Sequence, residues 1–174
     1  DMMSAITGAA TAALDNIEMD GYNAEMLDDA VKAVTSGAAM GLDDISMEGY
    51  DADDLSGMMT AITKGATGAL DSIEMTGYEH EDLSGLMSAV TAGATDAMDN
   101  ISMTGFDSAD VSGLVDAISS GANAGLGDIN MEGIDASDLS TLQSAITAGI
   151  DEVKDDLSFS GEGFDGTDPI TIDT

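Results

Sequence analysis

Cysteine and tryptophan are absent from this chain, proline occurs once, and only three of its 174 residues are basic. Without cysteine there is no disulfide, no thiol nucleophile and no thiolate metal site, and the redox compartment stays undecided. No apolar run approaches the ~20 residues that cross a bilayer as a helix. Thirty-five acids against three bases give a formal net charge of −32. A nucleic-acid backbone or an anionic membrane surface is therefore repelled, which excludes both as partners. Histidine occurs once, as His80, and serine and threonine are plentiful, but no base stands beside a nucleophile. The chain reads as a protein without catalytic machinery. The first residue is Asp1 rather than methionine, which reads as a processed or internal end.

Strict periodicity is what the sequence does have. Gly21, Gly49, Gly77, Gly105, Gly133 and Gly161 follow one another at intervals of 28 residues without a slip. Ala5, Ala33, Ala61, Ala89, Ala117 and Ala145 form a second column, and Ile17, Ile45, Ile73, Ile101, Ile129 and Leu157 a third. Met19, Met47, Met75, Met103, Met131 and Phe159 form a fourth, and Tyr22, Tyr50, Tyr78, Phe106 and Ile134 a fifth. A fixed period without insertions is the signature of a stacked repeat array in which every unit meets its neighbours alike. At the His80 position the other copies hold Ala24, Ala52, Ser108 and Ala136, so this histidine belongs to no repeated site. Thirteen methionines and 21 glycines stand in for aromatics, a composition suited to gap-filling and to close backbone approach.

Within a unit, Leu55, Met58, Met59, Ile62, Ala66, Ala69, Leu70 and Ile73 fall at helical spacings. Asp51 or Asp53 is placed to cap that helix. The mid-helix column Gly37, Gly65, Gly93, Gly121 and Gly149 costs ~1 kcal/mol per residue relative to alanine. Either the helix ends there or a neighbouring backbone comes too close for a side chain, and the helical pattern beyond the glycine favours the second. After the helix, Ile73-Glu74-Met75-Thr76-Gly77-Tyr78 alternates, which predicts a very short strand. One strand and one helix per unit predict an α/β fold, a single right-handed solenoid of about six units. The alternative is an all-α helical repeat array with the Ile-x-Met segment as a loop. The expected boundaries are residues 1–156 for the solenoid and 157–174 for a capping or strand-donating tail.

The spacing Leu70-x-x-Ile73-x-Met75-x-x-Tyr78 resembles a leucine-rich repeat of the ribonuclease-inhibitor type. It recurs at Leu14-Ile17-Met19-Tyr22, Leu42-Ile45-Met47-Tyr50, Met98-Ile101-Met103-Phe106 and Leu126-Ile129-Met131-Ile134. The resemblance implies a strand lining a concave face and a helix outside it. The ladder position of that family usually holds Asn or Cys, whereas here it holds Tyr, Phe or Ile. The phrase Gly-Ala-Thr-Gly-Ala-Leu-Asp (65–71) is also similar to repeats of uncharacterised bacterial secreted and lipoprotein sequences.

The acidic columns point to cations. Asp15, Asp43, Asp71, Asp99 and Asp155 share one position. If units stack ~5 Å apart, each like-charge pair costs about 1 kcal/mol even in water. Dozens of such pairs are comparable with the net stability of a domain. Divalent cations, with Ca²⁺ on carboxylate oxygens as the leading candidate, are expected to offset this. The candidate metal residues are Asp43, Asp71 and Asp99, with Asp165 and Asp168 of the loop Asp165-Gly166-Thr167-Asp168 beside them. No other cofactor is indicated. Low lysine, high aspartate and uniform columns point to a structural role outside the cell or at its surface: a spacer, coat or fibre subunit that associates end to end. A solenoid that recognises a protein or cationic ligand is the alternative.

Overall fold

The computed structural model describes residues 2–16, 24–43, 51–73, 80–101, 106–130, 136–154 and 157. Each 28-residue unit contributes one helix: α1 (Met2–Ala12), α2 (Ala24–Met40), α3 (Ala52–Ala69), α4 (His80–Ala97), α5 (Ser108–Leu126) and α6 (Ala136–Lys154). Where the chain before a helix is described, an aspartate starts it. Asp51 accepts from the Asp54 N–H at 3.1 Å while the Asp54 carboxylate accepts from the Asp51 N–H, and Asp107 and Asp110 repeat this reciprocal cap. Two of the four free N–H groups at each of these helix starts are satisfied in this way. The C-terminal ends tighten into 3₁₀ turns at Ala13–Asn16, Leu70–Ser72 and Met98–Asn100. Ile73 and Ile101 then leave in extended backbone.

Each helix packs against the next but one. The helices α1, α3 and α5 lie side by side in one layer and α2, α4 and α6 in the other, while consecutive helices touch lightly across the layers. The core between the layers divides into two clusters. One joins Leu27 and Val31 of α2, Leu86 of α4 and Leu142 of α6 to Leu70 and Ile73 after α3 and Leu126 and Ile129 after α5. The other joins Leu55 and Met59 of α3 and Leu114 and Ile118 of α5 to Leu42, Met98, Ile101 and Ile150 at the ends of α2, α4 and α6. N-terminal halves of one layer thus meet C-terminal halves of the other, and the layers run antiparallel.

This arrangement corrects the α/β expectation. Among the described residues there are six α-helices and no strand, so the fold is all-helical. The reason is geometric. The Leu and Ile that open the Ile-x-Met segment fall alternately in the two clusters: Leu14, Leu70, Ile73, Leu126 and Ile129 at one end, Leu42, Met98 and Ile101 at the other. Successive segments start at opposite ends of the layers and cannot pair with each other. Segments at the same end follow helices that pack side by side, and even closely crossing helix axes lie further apart than the ~4.8 Å a β-ladder needs. The right-handed crossover rule governs parallel strands and so does not apply. The strand expected over Ile73–Tyr78 lies from residue 74 onward outside the described residues, and the chain enters that segment through 3₁₀ turns at Leu70–Ser72 and, in the next unit, Met98–Asn100. Most of the Met, Tyr and Gly21-type columns, and the tail from 158 onward, lie outside the described residues.

The mid-helix glycines hold the layers together. A Cβ added at Gly65 would lie 2.8 Å from the Ser4 Cα, at Gly93 3.1 Å from the Lys32 Cα, and at Gly121 3.0 Å from the Thr60 Cα. At Gly149 it would lie 2.9 Å from the Ser88 carbonyl carbon. In all four cases the glycine follows its contact by 61 residues (4 to 65, 32 to 93, 60 to 121, 88 to 149). The register is therefore constant, and backbone meets backbone as the second reading of the glycine column requires. Threonines line the same crossings. Thr63 and Thr91 return their hydroxyls to Met59 O and Met87 O at 2.9 and 3.3 Å, and Thr60 donates across the layer to Ala117 O at 3.2 Å.

Alanine is the better helix former by ~1 kcal/mol, yet at a crossing its methyl forces the backbones apart, an overpacking cost of ~1–3 kcal/mol. Gly93→Ala is expected to lose about 2 kcal/mol in urea denaturation. Gly113→Ala in α5, where nothing lies within 4 Å of the added carbon, is expected to gain about 0.5 kcal/mol. Equal effects at the two positions would contradict the crossing.

Candidate functional site

The two edges of the layers are the places where the repeat rule is left incomplete. At the edge formed by α1 and α2, columns that are buried elsewhere face solvent. Ile6 is 55% exposed, whereas Ile62, Val90, Ile118 and Ile146 of the same column are buried. Met2 is 75% exposed, against buried Leu86, Leu114 and Leu142. Ala5 and Ala33 are exposed where Ala89, Ala117 and Ala145 are buried. Gly37 is exposed and has nothing within 4 Å of an added Cβ, unlike the four glycines that follow it in the column. Helix α1 also carries no charged residue, alone among the six helices. In a chain of net charge −32 that leaves an uncharged, partly apolar strip open to water.

At the opposite edge, α5 and α6 present the complementary side. The residues whose backbone seats a glycine (Ser4, Lys32, Thr60, Ser88) are half-buried, while their counterparts Asp116 and Ser144 are exposed. Leu139 is 37% exposed where Leu27, Leu55, Leu83 and Val111 are buried. Polar replacements soften this edge: Gln143 stands in the column of Met59, Met87 and Val115, and Asp151 in that of Thr67 and Thr95.

Of the predicted metal residues that are described, Asp71 is set apart from Asp43 and Asp99. Asp43, Asp71 and Asp99 are all exposed, but they follow Leu42, Leu70 and Met98, so Asp71 lies at the end of the layers opposite to Asp43 and Asp99. Asp71 accepts from the Asn130 N–H at 3.3 Å. Among the described residues no group of three or more His, Cys, Asp or Glu is close enough to hold a metal ion. Asp165 and Asp168 lie outside the described residues. The ~5 Å stacking of carboxylates anticipated from the column does not arise, because neighbours in the column alternate between ends. Grooves between α1 and α3 are shallow and open, lined by small residues such as Ser4, Ala5, Gly57 and Ala61. None of the described helices is long and apolar enough to cross a membrane.

All three lysines are paired with acids. Lys32 of α2 reaches past α4 to Glu152 of α6 at 3.4 Å, Lys64 meets Asp128 beyond α5 at 3.4 Å, and Lys154 meets Asp151 within α6. Exposed pairs of this kind contribute at most about 1 kcal/mol each. The first two bridge elements of one layer, α2 to α6 and α3 to the turn after α5, and those positions matter more than their strength.

Asp28 is the chemically distinct acid that the column reading passed over. Ser56, Ser84, Ser112 and Ser140 occupy its position in the other units, and that break was the available signal. Its carboxylate sits against Gly85 of α4, with Oδ1 buried and without a hydrogen-bond partner. Burial, then the charges of Asp82, Asp29 and Glu25, push its pKa from 3.8 up to about 6. No family model, curated protein or solved structure matches the chain.

The raised pKa has a definite sign. Below pH 3.8 the side chain is protonated in both folded and unfolded states and has no effect on this balance. Between 3.8 and 6 the folded state holds a proton that the unfolded state has released, so stability falls as pH rises, and above 6 the full penalty applies. Allowing for the solvent that reaches this part-exposed group, the penalty is about 1 kcal/mol. Asp28→Ser is therefore expected to raise the melting temperature at pH 7 and to leave it nearly unchanged at pH 3.5. An equal shift at both pH values would contradict the burial of the charge.

Proposed function

We propose that this is a structural protein of the cell exterior or cell surface, an acidic repeat array that serves as a spacer, coat or fibre subunit and associates end to end. The observation that supports this reading is the constant 61-residue register of the glycine crossings, taken with two edges at which the same contacts stand open. A scaffold that repeats one backbone contact without variation is suited to building, since recognition surfaces vary from unit to unit at exposed positions. The charge distribution supports the same reading. Thirty-five acids keep the broad faces of two molecules apart, while uncharged α1 leaves its half of one edge with less of that protection. Such a molecule is directed to associate through its edges. Screening by salt or by divalent cations, calcium among them, favours that association by weakening the repulsion between copies.

Negative-stain electron microscopy of the purified chain tests the proposal. Elongated chains of particles are expected in 0.5–1 M NaCl or with millimolar calcium, and shorter ones at low salt with chelator. Compact single particles under every condition would contradict it.

A further inference from the structure

We infer that the α1/α2 edge docks the α5/α6 edge of a second copy of this chain, continuing both layers in the register used within the molecule. The inference rests on the structural, end-associating reading above and specifies the surface.

Four independent features select this occupant. The first is register. Inside the molecule, the backbone of Ser4, Lys32, Thr60 and Ser88 seats Gly65, Gly93, Gly121 and Gly149. The next residues in the seating column are Asp116 and Ser144, both exposed, and the glycine column begins at its other end with exposed Ala9 and Gly37. Ser144 of one copy therefore matches Gly37 of the next, and Asp116 matches Ala9. The second is parity. Six helices alternate between two layers, so a following copy places α1 beside α5 and α2 beside α6 with helix directions preserved. An odd number of helices would exchange the layers.

The third is apolar exposure. Ile6 and Met2 on one edge and Leu139 on the other are exposed, whereas Ile62, Val90, Leu86 and Leu55 of their columns on the inner helices are buried and Met58 is half-buried. The fourth is charge: α1, the helix that would meet Asp116, carries none. The even-layer contact is the tighter one, because Gly37 admits a backbone directly. Ala9 holds the odd-layer helices about a methyl group further apart. A contact of unlike edges adds copies head to tail, which excludes a two-fold dimer and leaves a free edge at each end of the growing chain. Two chains of charge −32 repel, so the contact forms only when salt screens them.

Sedimentation velocity of the full chain tests this, with sodium chloride raised from 50 mM to 1 M. Open-ended association that grows with protein concentration is expected at high salt. Gly37→Leu fills the empty seat, where nothing lies within 4 Å of an added Cβ, and it is expected to keep the helical circular dichroism and to keep or slightly raise the melting temperature while weakening association by roughly tenfold or more. Gly57→Leu, also exposed with nothing within 4 Å, is expected to leave association unchanged. Oligomers that resist Gly37→Leu would overturn this docking mode while leaving an end-associating structural role standing. A monomer at every salt concentration would overturn both.

Discussion

Everything in this fold depends on a helix backbone lying directly against a glycine of the helix two units later. Side-chain packing alone holds helices ~8–10 Å apart, and these crossings are closer because one partner has no Cβ. The glycine lowers helix propensity locally, and the loss is offset by dispersion across a dense backbone contact and by weak Cα–H···O interactions of the kind seen at close helix pairs. Repeated at four crossings with one register, the contact fixes each layer before the mixed Leu, Ile, Met and Ala core between the layers is considered. It also explains why aromatic side chains are scarce: at this spacing there is little room for them.

The electrostatics follow from the same geometry. Alternation sends successive aspartates of a column to opposite ends, so the charge that would be ruinous in a single stacked row is spread over the molecule. Two of the three lysines, Lys32 and Lys64, tie elements of a layer together rather than neutralising the surface. Asp28 is the exception, an acid drawn in against Gly85 where the other units use serine. Its unpartnered oxygen marks the one described place where an ionised carboxylate is held at evident cost to the fold.

Much of this was legible in the sequence. The 28-residue columns gave the unit, the i, i+3, i+4 spacing of Leu55 to Ile73 gave the helix, and its start was narrowed to Asp51 or Asp53, of which Asp51 is the cap. The continuation of apolar spacing past Gly65 identified a close backbone approach. What the sequence could not show was which unit makes that approach. A perfect 28-residue period is equally consistent with contact to the next copy or the next but one, because every copy presents the same residues. The strand expectation rested on alternation over the six residues Ile73–Tyr78, too short to separate a ladder from an extended exit such as that of Ile73 or Ile101. The acidic column was misplaced in space for the same reason. The open edges were likewise invisible, since Ile6 and Ile62 are the same letter and differ only in what covers them.

Distances between ends of the layers test the next-but-one contact most directly, and the absence of cysteine makes introduced cysteines unique labels. With nitroxides at Asp43→Cys and Asp99→Cys, both at one end, electron–electron dipolar spectroscopy is expected to give a short separation. With labels at Asp43→Cys and Asp71→Cys the separation is expected to reach the ~27 Å length of an 18-residue helix. A shorter distance for 43–71 than for 43–99 would place consecutive units side by side and contradict the account.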